Sequence, residues 1–153
     1  MNRHNIGVHF SPDLIAKIGT EVTAEWAAAI REWHHKGDPD WYFGRNVSNS
    51  LGVENTWAWH LHYVPEATST EAVKKWDRTS NSYYRTSNRL VVYSMDKKDP
   101  LKYGFLMLAF LQPDGHEQLQ FGPSAAERRQ DWEDIAYTHQ MTGNVPDGTI
   151  SES

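Results

Sequence analysis

The chain has 153 residues, which is enough for one domain with its own core and too few for two ordinary domains. Hydrophobic residues make up 39% of it and aromatic residues 12%, a composition that excludes a disordered protein. The lack of cysteine excludes a disulfide framework and thiolate chemistry. The sequence shows neither the apolar core of a signal peptide nor an apolar run of membrane-spanning length, so we expect a cytoplasmic protein without a membrane partner.

Charge is unevenly distributed along the chain, whose formal net charge is −5. Residues 71–105 carry 8 basic and 4 acidic side chains, a net charge of +4. Residues 106–153 carry 2 basic and 8 acidic side chains, a net charge of −6. The acidic total argues against a general nucleic-acid-binding protein, but the basic middle segment still allows one local site for an anion.

The first part of the chain predicts a strand and a long amphipathic helix. Residues 6–10 (IGVHF) favour a strand. Ser11 caps the helix that follows, Gly19 is a potential break into two helices, and residues 37–39 (GDP) end it. Apolar residues recur at the spacings of three and four that one helical face requires. These are Ile15, Ile18, Val22, Trp26, Ile30 and Trp33.

The middle of the chain predicts an aromatic loop, a strand and a short helix. The loop covers residues 40–46 and continues to residue 52, and residues 56–63 (TWAWHLHY) alternate as a strand does. Residues 68–71 have the pattern of a capping box that opens a helix through residue 76. One face of the predicted strand carries Trp57, Trp59, Leu61 and Tyr63. The other face carries Ala58, His60 and His62.

The remainder predicts a hairpin and a final helix. Residues 83–95 and 102–111 form an antiparallel hairpin, and residues 112–116 (QPDGH) form a turn. A second capping-box pattern at residues 124–127 opens a helix that Gly143 ends. The last ten residues, 144–153, are expected to be a flexible tail, so the single domain spans residues 1–143. This order predicts an α+β fold, a small antiparallel sheet packed by N-terminal helices and a C-terminal helix.

The two histidines of the predicted strand are the clearest candidates for chemistry. His60 and His62 lie opposite the tryptophan face, on what we expect to be the more open side of the sheet. Two imidazoles can act as acid and base near neutral pH, or bind a metal. The alternative is a pair of surface or packing histidines in a chain that has 8 of them. His116 follows a Pro-Asp-Gly turn, and we expect it to be exposed.

Two polar segments offer ligands for phosphate. Arg85, Thr86 and Ser87 precede the Leu90 strand, and an arginine fork with nearby hydroxyl groups suits a phosphate. The alternative is a polar turn whose side chains satisfy their own backbone. The Gly-Arg pair at residues 44–45 either presents Arg45 from a tight turn or is only a turn.

Five short motifs follow the long helix in a recognisable order: YFGR (42–45), WHLHY (59–63), YRTSN (84–88), LVVYS (90–94) and FLMLAFLQPDGH (105–116). This order resembles that of the YafO-type toxins of bacterial type II toxin–antitoxin modules. The resemblance implies a RelE/ParE-like fold and an mRNA endoribonuclease, or mRNA interferase, that acts with the ribosome and is neutralised by a cognate antitoxin protein. The chain departs from the family in its longer acidic end and its negative net charge.

RNA cleavage without a metal requires a base for the 2′-hydroxyl, an acid for the leaving 5′-oxygen and a cation for the phosphate. The acid–base candidates are His60, His62 and His116, with Arg85 as a catalytic cation and with no metal or other cofactor. The predicted substrate-binding residues are Arg45, Thr86, Ser87 and Tyr93.

Two other functions remain open at the level of the sequence. His60, His62 and Glu66 have the spacing of a cupin-type metal site, which would make the chain a metal-binding β-barrel enzyme. The other alternative is an interaction module that keeps a toxin fold without catalysis, and the acidic surface favours it.

Overall fold

The computed structural model of the chain describes residues 6–36, 42–48, 57–121 and 124–152. The strands of these ranges are β1 (Val8–Phe10), β2 (Phe43–Ser48), β3 (Ala58–Tyr63), β4 (Leu90–Ser94), β5 (Phe105–Leu111) and β6 (Ile150–Glu152). The helices are α1 (Pro12–Ile18), α2 (Thr23–Lys36), α3 (Thr70–Arg78), α4 (Pro100–Tyr103), α5 (Gly115–Gln120) and α6 (Ala125–Thr142). A 3₁₀ turn, Ser82–Tyr84, lies between α3 and β4.

The six strands form one sheet in the order β2-β3-β4-β5-β1-β6. All neighbours are antiparallel except β1 and β5, which are parallel. β3 lies inside the sheet, where His60 is opposite Val47 of β2 and Val92 of β4. The predicted α+β class is confirmed, with one parallel pair in a sheet that we expected to be wholly antiparallel.

Helices cover both faces of the sheet. On one face, Leu61 of β3 and Tyr93 of β4 belong to a core shared with α1 and α2, which we call the α1/α2 face. On the other, Ala58 of β3 and Val92 of β4 belong to a core shared with α5 and α6, the α5/α6 face. Because successive strand residues point to opposite faces, β3 contributes to both cores.

The alternation predicted for β3 is confirmed with one exception. Trp59, Leu61 and Tyr63 pack in the core of the α1/α2 face. Trp57 was expected beside them, but it precedes the strand and packs in the other core, with its ring 5.1 Å from that of Tyr137. A residue just outside a strand does not follow the strand's alternation, so the prediction for Trp57 is wrong.

Several local predictions are confirmed. The long helix breaks into α1 and α2 after Gly19, which has a φ of 82° that disfavours residues with a side chain. Ser11 caps α1, and its Oγ accepts a hydrogen bond from the Leu14 amide at 3.3 Å. The predicted hairpin is the antiparallel pair β4 and β5, and α6 ends before Gly143. The predicted helix end at residues 37–39 lies outside the described residues.

Three segments that we expected to be irregular form regular elements. Residues 43–48 of the predicted aromatic loop form β2, while residues 40–41 and 49–52 lie outside the described residues. The turn predicted at residues 112–116 leads directly into α5. The segment expected to be a flexible tail contains β6, where Glu152 is opposite Val8 of β1. β2 and β6 are stabilised by partners distant in the sequence, which a local pattern does not report.

The two capping boxes do not form. Ser69 and Ser124 stand at the N-caps of α3 and α6, and neither side chain makes a capping hydrogen bond. The helices of the described ranges include none whose length and apolar character would suffice to cross a membrane.

Glu133 of α6 fixes the helix to the start of β3. Its Oε2 accepts a hydrogen bond from the Trp57 amide at 2.6 Å, and its Oε1 accepts one from the Ala58 amide at 3.1 Å. Gln140, further along α6, donates from Nε2 to the Trp57 carbonyl oxygen at 2.8 Å. Hydrogen bonds to a charged acceptor are stronger than neutral ones. These contacts anchor the strand that carries His60 and His62, two of the three predicted catalytic histidines.

We expect Glu133→Ala to lower the free energy of unfolding by about 1–3 kcal/mol, because two part-buried amides lose their acceptor. Glu133→Gln keeps one carbonyl oxygen as an acceptor. Its free energy of unfolding should lie between those of Glu133→Ala and the unsubstituted protein. Urea denaturation measures the difference. Asp131→Ala, at an exposed position of the same helix, is the matched control and should stay within about 0.5 kcal/mol. Equal loss in Glu133→Ala and Asp131→Ala would contradict the anchoring role.

Candidate functional site

His60 and His62 project from β3 into the α5/α6 face of the sheet. Their side chains are buried, with 7% and 3% of each residue exposed. The prediction that this is the more open side is therefore wrong. Both faces of the sheet carry helices, so strand alternation selects which core a side chain enters and not whether it meets solvent.

His116 reaches the same place from α5. It is the second residue of the helix and is half-buried, not exposed on a loop as expected. The preceding Gly115 donates its amide to the Asn88 carbonyl oxygen at 2.7 Å. A Cβ at this position would lie 2.6 Å from that oxygen and 2.9 Å from Leu90 Cγ, so only glycine allows the approach. This close contact brings the first turn of α5 against the start of β4 and places His116 beside β3.

The three imidazoles form one cluster. The ring centroid of His116 lies 5.1 Å from that of His62 and 6.4 Å from that of His60, and those of His60 and His62 are 5.8 Å apart. We call this set the histidine cluster. Rings at these distances can contact one small bound group together, which histidines far apart on a surface cannot.

The surroundings favour the neutral form of all three rings. The pKa of His60 is lowered from 6.5 to about 3, mainly by burial and to a smaller extent by the neighbouring rings of His62 and His116. Burial also lowers the pKa of His62 to about 4, with smaller effects from His116 and Arg45. The pKa of His116 is lowered, first by burial and then by Arg45. The cluster is uncharged at neutral pH.

Hydrogen bonds indicate which nitrogen carries the proton in two of the rings. The Ser87 amide donates to Nδ1 of neutral His62 at 2.9 Å, so the proton of that ring is on Nε2. The Ser87 carbonyl oxygen lies 3.0 Å from the same Nδ1 and would accept from it once the ring is protonated. In His116, Nδ1 donates to Oδ1 of Asn88 at 2.8 Å, which leaves Nε2 as the acceptor.

Arg45 of β2 supplies a positive charge next to the cluster. Its charge is one of the causes that lower the pKa of His62 and His116. Its amide donates to the Arg85 carbonyl oxygen at 2.9 Å. A Cβ on the preceding Gly44 would collide with the same oxygen and lie 2.7 Å from Cη2 of Trp76, so glycine is required for this approach.

The other predicted site residues lie elsewhere or act differently. Arg85 donates from Nε to the Trp76 carbonyl oxygen at 3.2 Å. Ser87 uses its hydroxyl to donate to the Tyr63 carbonyl oxygen at 2.5 Å and touches the cluster only through its backbone. Thr86 is exposed. The side chains of Arg85 and Ser87 thus both donate to backbone oxygens of the chain itself.

Tyr93 belongs to the opposite face of the sheet. It is fully buried in the core of the α1/α2 face, where its hydroxyl donates to Oδ1 of Asn46 at 2.7 Å and accepts from Nζ of Lys97 at 2.9 Å. Burial raises the pKa of this hydroxyl. Tyr93 and the histidine cluster therefore lie on opposite faces of the sheet.

A second buried histidine pairs with a serine but has no access to a substrate. Nδ1 of His139 lies 2.8 Å from Oγ of Ser94, which resembles a nucleophile and its base. Both residues are fully buried, and Nε2 of His139 lies 3.3 Å from the Tyr103 carbonyl oxygen. This pair satisfies polar groups between α6 and the sheet.

The cupin alternative is not supported by the geometry. Glu66 lies beyond the end of β3 and is exposed, whereas His60 and His62 are buried. Within residues 6–36, 42–48, 57–121 and 124–152, no three His, Asp or Glu side chains are arranged to hold a metal ion. Among the described residues the sheet is open, with β2 and β6 at its edges, and does not close into a barrel.

Sequence reasoning missed two residues of the site. Asn88 sets the tautomer of His116, and Gly115 allows α5 to approach β4. Asn88 was visible as the last residue of the YRTSN motif, but an amide next to two hydroxyl residues gives no sign of a histidine partner 28 residues away. Gly115 had the ordinary pattern of a turn.

The lowered pKa values predict a loss of stability in acid. His60 and His62 have folded pKa values near 3 and 4, below 6.5 for the unfolded chain, so stability present above pH 6.5 is lost as pH falls toward 4. Removing either imidazole, as His60→Gln or His62→Gln, should reduce the slope of unfolding free energy against pH by up to about 1.4 kcal/mol per pH unit in this window.

Urea denaturation at several pH values between 4 and 7.5 measures these slopes, with His35→Gln, an exposed position on α2, as the control for loss of a histidine outside the cluster. Unchanged slopes in both cluster variants would show that the buried rings are not held neutral by the fold.

Comparison with known proteins identifies the family. The family described as "Toxin YafO, type II toxin-antitoxin system" matches residues 31–141, which include the histidine cluster and Arg45 and cover well over half of the chain. No curated protein and no solved structure matches the chain, so the RelE/ParE-like fold stays a prediction. A type II toxin implies an antitoxin as its partner. The chain belongs to the YafO toxin family of type II toxin–antitoxin systems.

Proposed function

We propose that this toxin is an endoribonuclease that cleaves messenger RNA on the ribosome, in the cytoplasm, by acid–base chemistry that needs no metal. The observation that carries the proposal is the histidine cluster beside Arg45. RNA cleavage needs a base, an acid and a cation for the phosphate. The cluster offers the first two, and Arg45 is close enough to shift the pKa of two of its rings.

His116 is the best-placed base. Its Nδ1 proton is held by Asn88, so the neutral ring presents an unprotonated Nε2. Its lowered pKa keeps that nitrogen free of a proton near pH 7. His116 is also half-buried where His60 and His62 are buried, which makes it the ring that a substrate meets first.

His62 is the better-placed acid. A general acid must exist in two protonation states, and the backbone of Ser87 offers a partner for each, an amide at 2.9 Å and a carbonyl oxygen at 3.0 Å from Nδ1. A bound phosphodiester brings negative charge to a ring whose pKa is lowered by burial and by neighbouring positive charges. Substrate binding therefore raises the pKa of His62 toward the value that an acid needs.

The proposed step moves one proton into the cluster and one out. Nε2 of His116 takes the 2′-hydroxyl proton, and the 2′-oxygen forms a bond to phosphorus while the bond from phosphorus to the 5′-oxygen breaks. Protonated His62 gives its proton to the 5′-oxygen. The products are a 2′,3′-cyclic phosphate and a 5′-hydroxyl, and exchange with water resets both rings. His60 is the remaining acid–base candidate.

Arg45 is the better placed of the two predicted phosphate ligands. A guanidinium presents a fork of N–H donors that suits phosphate oxygens. Nε of each arginine donates to a backbone carbonyl oxygen, that of Tyr83 for Arg45 and that of Trp76 for Arg85. Arg45 is preferred because its charge lowers the pKa of His62 and His116. Thr86 is exposed near the same segment and is proposed as a further contact with the RNA backbone.

Induction of this chain alone should slow growth and deplete intact messenger RNA. His116→Ala should lower the cleavage rate by about a hundredfold or more, because it removes the base. The variant should stay folded at the assay temperature, since only part of the ring is buried, and a thermal melt checks this. Cleavage is measured on translated and on free RNA, with and without a chelator. His35→Gln is the control.

Three results would count against the proposal. Intact transcripts at high expression would leave an interaction module without catalysis. Full activity in His116→Ala would place the base elsewhere, and loss of activity on chelation with recovery on a divalent ion would replace acid–base chemistry by metal chemistry.

The family implies an antitoxin, and we expect it to cover the basic segment of residues 71–105 or the cluster itself. Opposite charge speeds association, so Lys75→Glu with Arg78→Glu, both exposed on α3, should slow complex formation most at low salt. Kinetic binding measurements with the protein co-purified from the native host test this. Lys17→Glu on α1 is the control, and equal association rates for all forms would contradict a contact at α3.

A further inference from the structure

Two tyrosines of the 3₁₀ turn face solvent next to Arg45. Tyr83 is 59% exposed and Tyr84 is 63% exposed. Their rings contact each other edge to face, with centroids 5.4 Å apart. Neither Tyr83 nor Tyr84 belongs to either core of the described residues. Exposed aromatic side chains that lie side by side form an apolar patch, and such patches commonly mark binding sites.

Arg45 connects this pair to the histidine cluster. Its Nε donates to the Tyr83 carbonyl oxygen at 2.6 Å, and its Cζ lies 4.1 Å from the centroid of the Tyr83 ring. The latter distance is a cation–π contact. The same guanidinium lies near enough to His62 and His116 to lower the pKa of both. If a chain-like ligand bound at the cluster with one phosphate at Arg45, the group next to that phosphate would lie at the two tyrosines.

We propose that Tyr83 and Tyr84 form a stacking platform for a nucleobase that flanks the cleaved phosphate in single-stranded RNA. This inference rests on the proposed function, and it adds a binding site for bases to a site so far defined by its phosphate chemistry. Aromatic rings bind bases of any sequence because every base has a flat face to stack on, and nearby cations strengthen the contact.

The chemistry favours RNA over a protein partner at this surface. The platform combines exposed aromatic faces with a guanidinium, and both are complementary to a chain of bases linked by phosphates. Tyr83 contacts Arg45 through its backbone oxygen as well as its ring. A base stacked on the tyrosine rings would therefore not break the hydrogen bond between Arg45 and the Tyr83 carbonyl oxygen.

Binding of a short single-stranded RNA with 2′-O-methyl groups tests the platform, because methylation blocks attack by the 2′-oxygen. Tyr84→Ala is the key variant, since Tyr84 has no described contact with Arg45. We expect Tyr83→Ala and Tyr84→Ala each to weaken binding about tenfold, the loss expected from one stacked base. Tyr83→Phe keeps the flat ring and should bind as tightly as the unsubstituted protein.

Tyr42→Ala is the matched control. Tyr42 is 43% exposed and stacks on Tyr63, which packs in the core of the α1/α2 face. His116→Ala should fail to cleave unmodified RNA, so cleavage is scored separately from binding of the methylated RNA. Thermal melts confirm that each variant is folded.

The outcomes distinguish the platform from the proposed function. Normal RNA binding by both alanine variants overturns the platform, whether or not the protein cleaves RNA. The platform is also overturned if the two variants lose affinity for the antitoxin and keep their affinity for RNA. Loss of RNA binding in both alanine variants, with Tyr83→Phe and Tyr42→Ala unaffected, supports the platform. This holds even if cleavage of unmodified RNA is never observed, because the absence of cleavage would overturn only the proposed function. No binding of RNA by the unsubstituted protein overturns the platform.

Discussion

Strand β3 is enclosed on all sides, and the properties of the candidate site follow from this. β2 and β4 pair with its two edges, and helices cover both faces of the sheet. Every second residue of the strand must therefore enter one core or the other. His60 and His62 enter the α5/α6 core, where water cannot stabilise a positive charge. Burial by the fold, more than any neighbouring charge, keeps these imidazoles neutral.

A neutral cluster is suited to a substrate that brings its own negative charge. Burial costs the charged form of a ring free energy, and an opposite charge nearby can offset that cost. In the proposed reaction the phosphate of the RNA would supply that charge, and the same desolvation that keeps the free site neutral would strengthen the attraction between phosphate and a protonated ring. The chain has a net charge of −5, but the attraction between a phosphate and a ring depends on groups within a few ångströms and not on this net charge.

Patterns within one segment predicted local structure correctly. Apolar spacing with Gly19 gave the two helices, and the alternation of residues 58–63 placed both histidines on one face. The strands that depend on distant partners were not predicted. β2 and β6 form because β3 and β1 offer free edges, and nothing in residues 43–48 or 150–152 reports those edges. The burial of His62 likewise depends on α5 and α6, so the sequence predicted its direction but not its environment.

The candidate site also depends on two close backbone contacts that carry no chemistry themselves. Gly44 lets β2 approach the Arg85 carbonyl oxygen, and Gly115 lets α5 approach that of Asn88. These contacts bring Arg45 and His116, which are far apart in the sequence, to the rings of β3. A side chain at Gly44 would displace β2, and one at Gly115 would displace α5. Neither substitution would remove an ionisable residue from the sequence. Geometry and ionisable chemistry are thus specified by different residues, and glycines that look like turn residues in the sequence are as necessary to this site as its histidines.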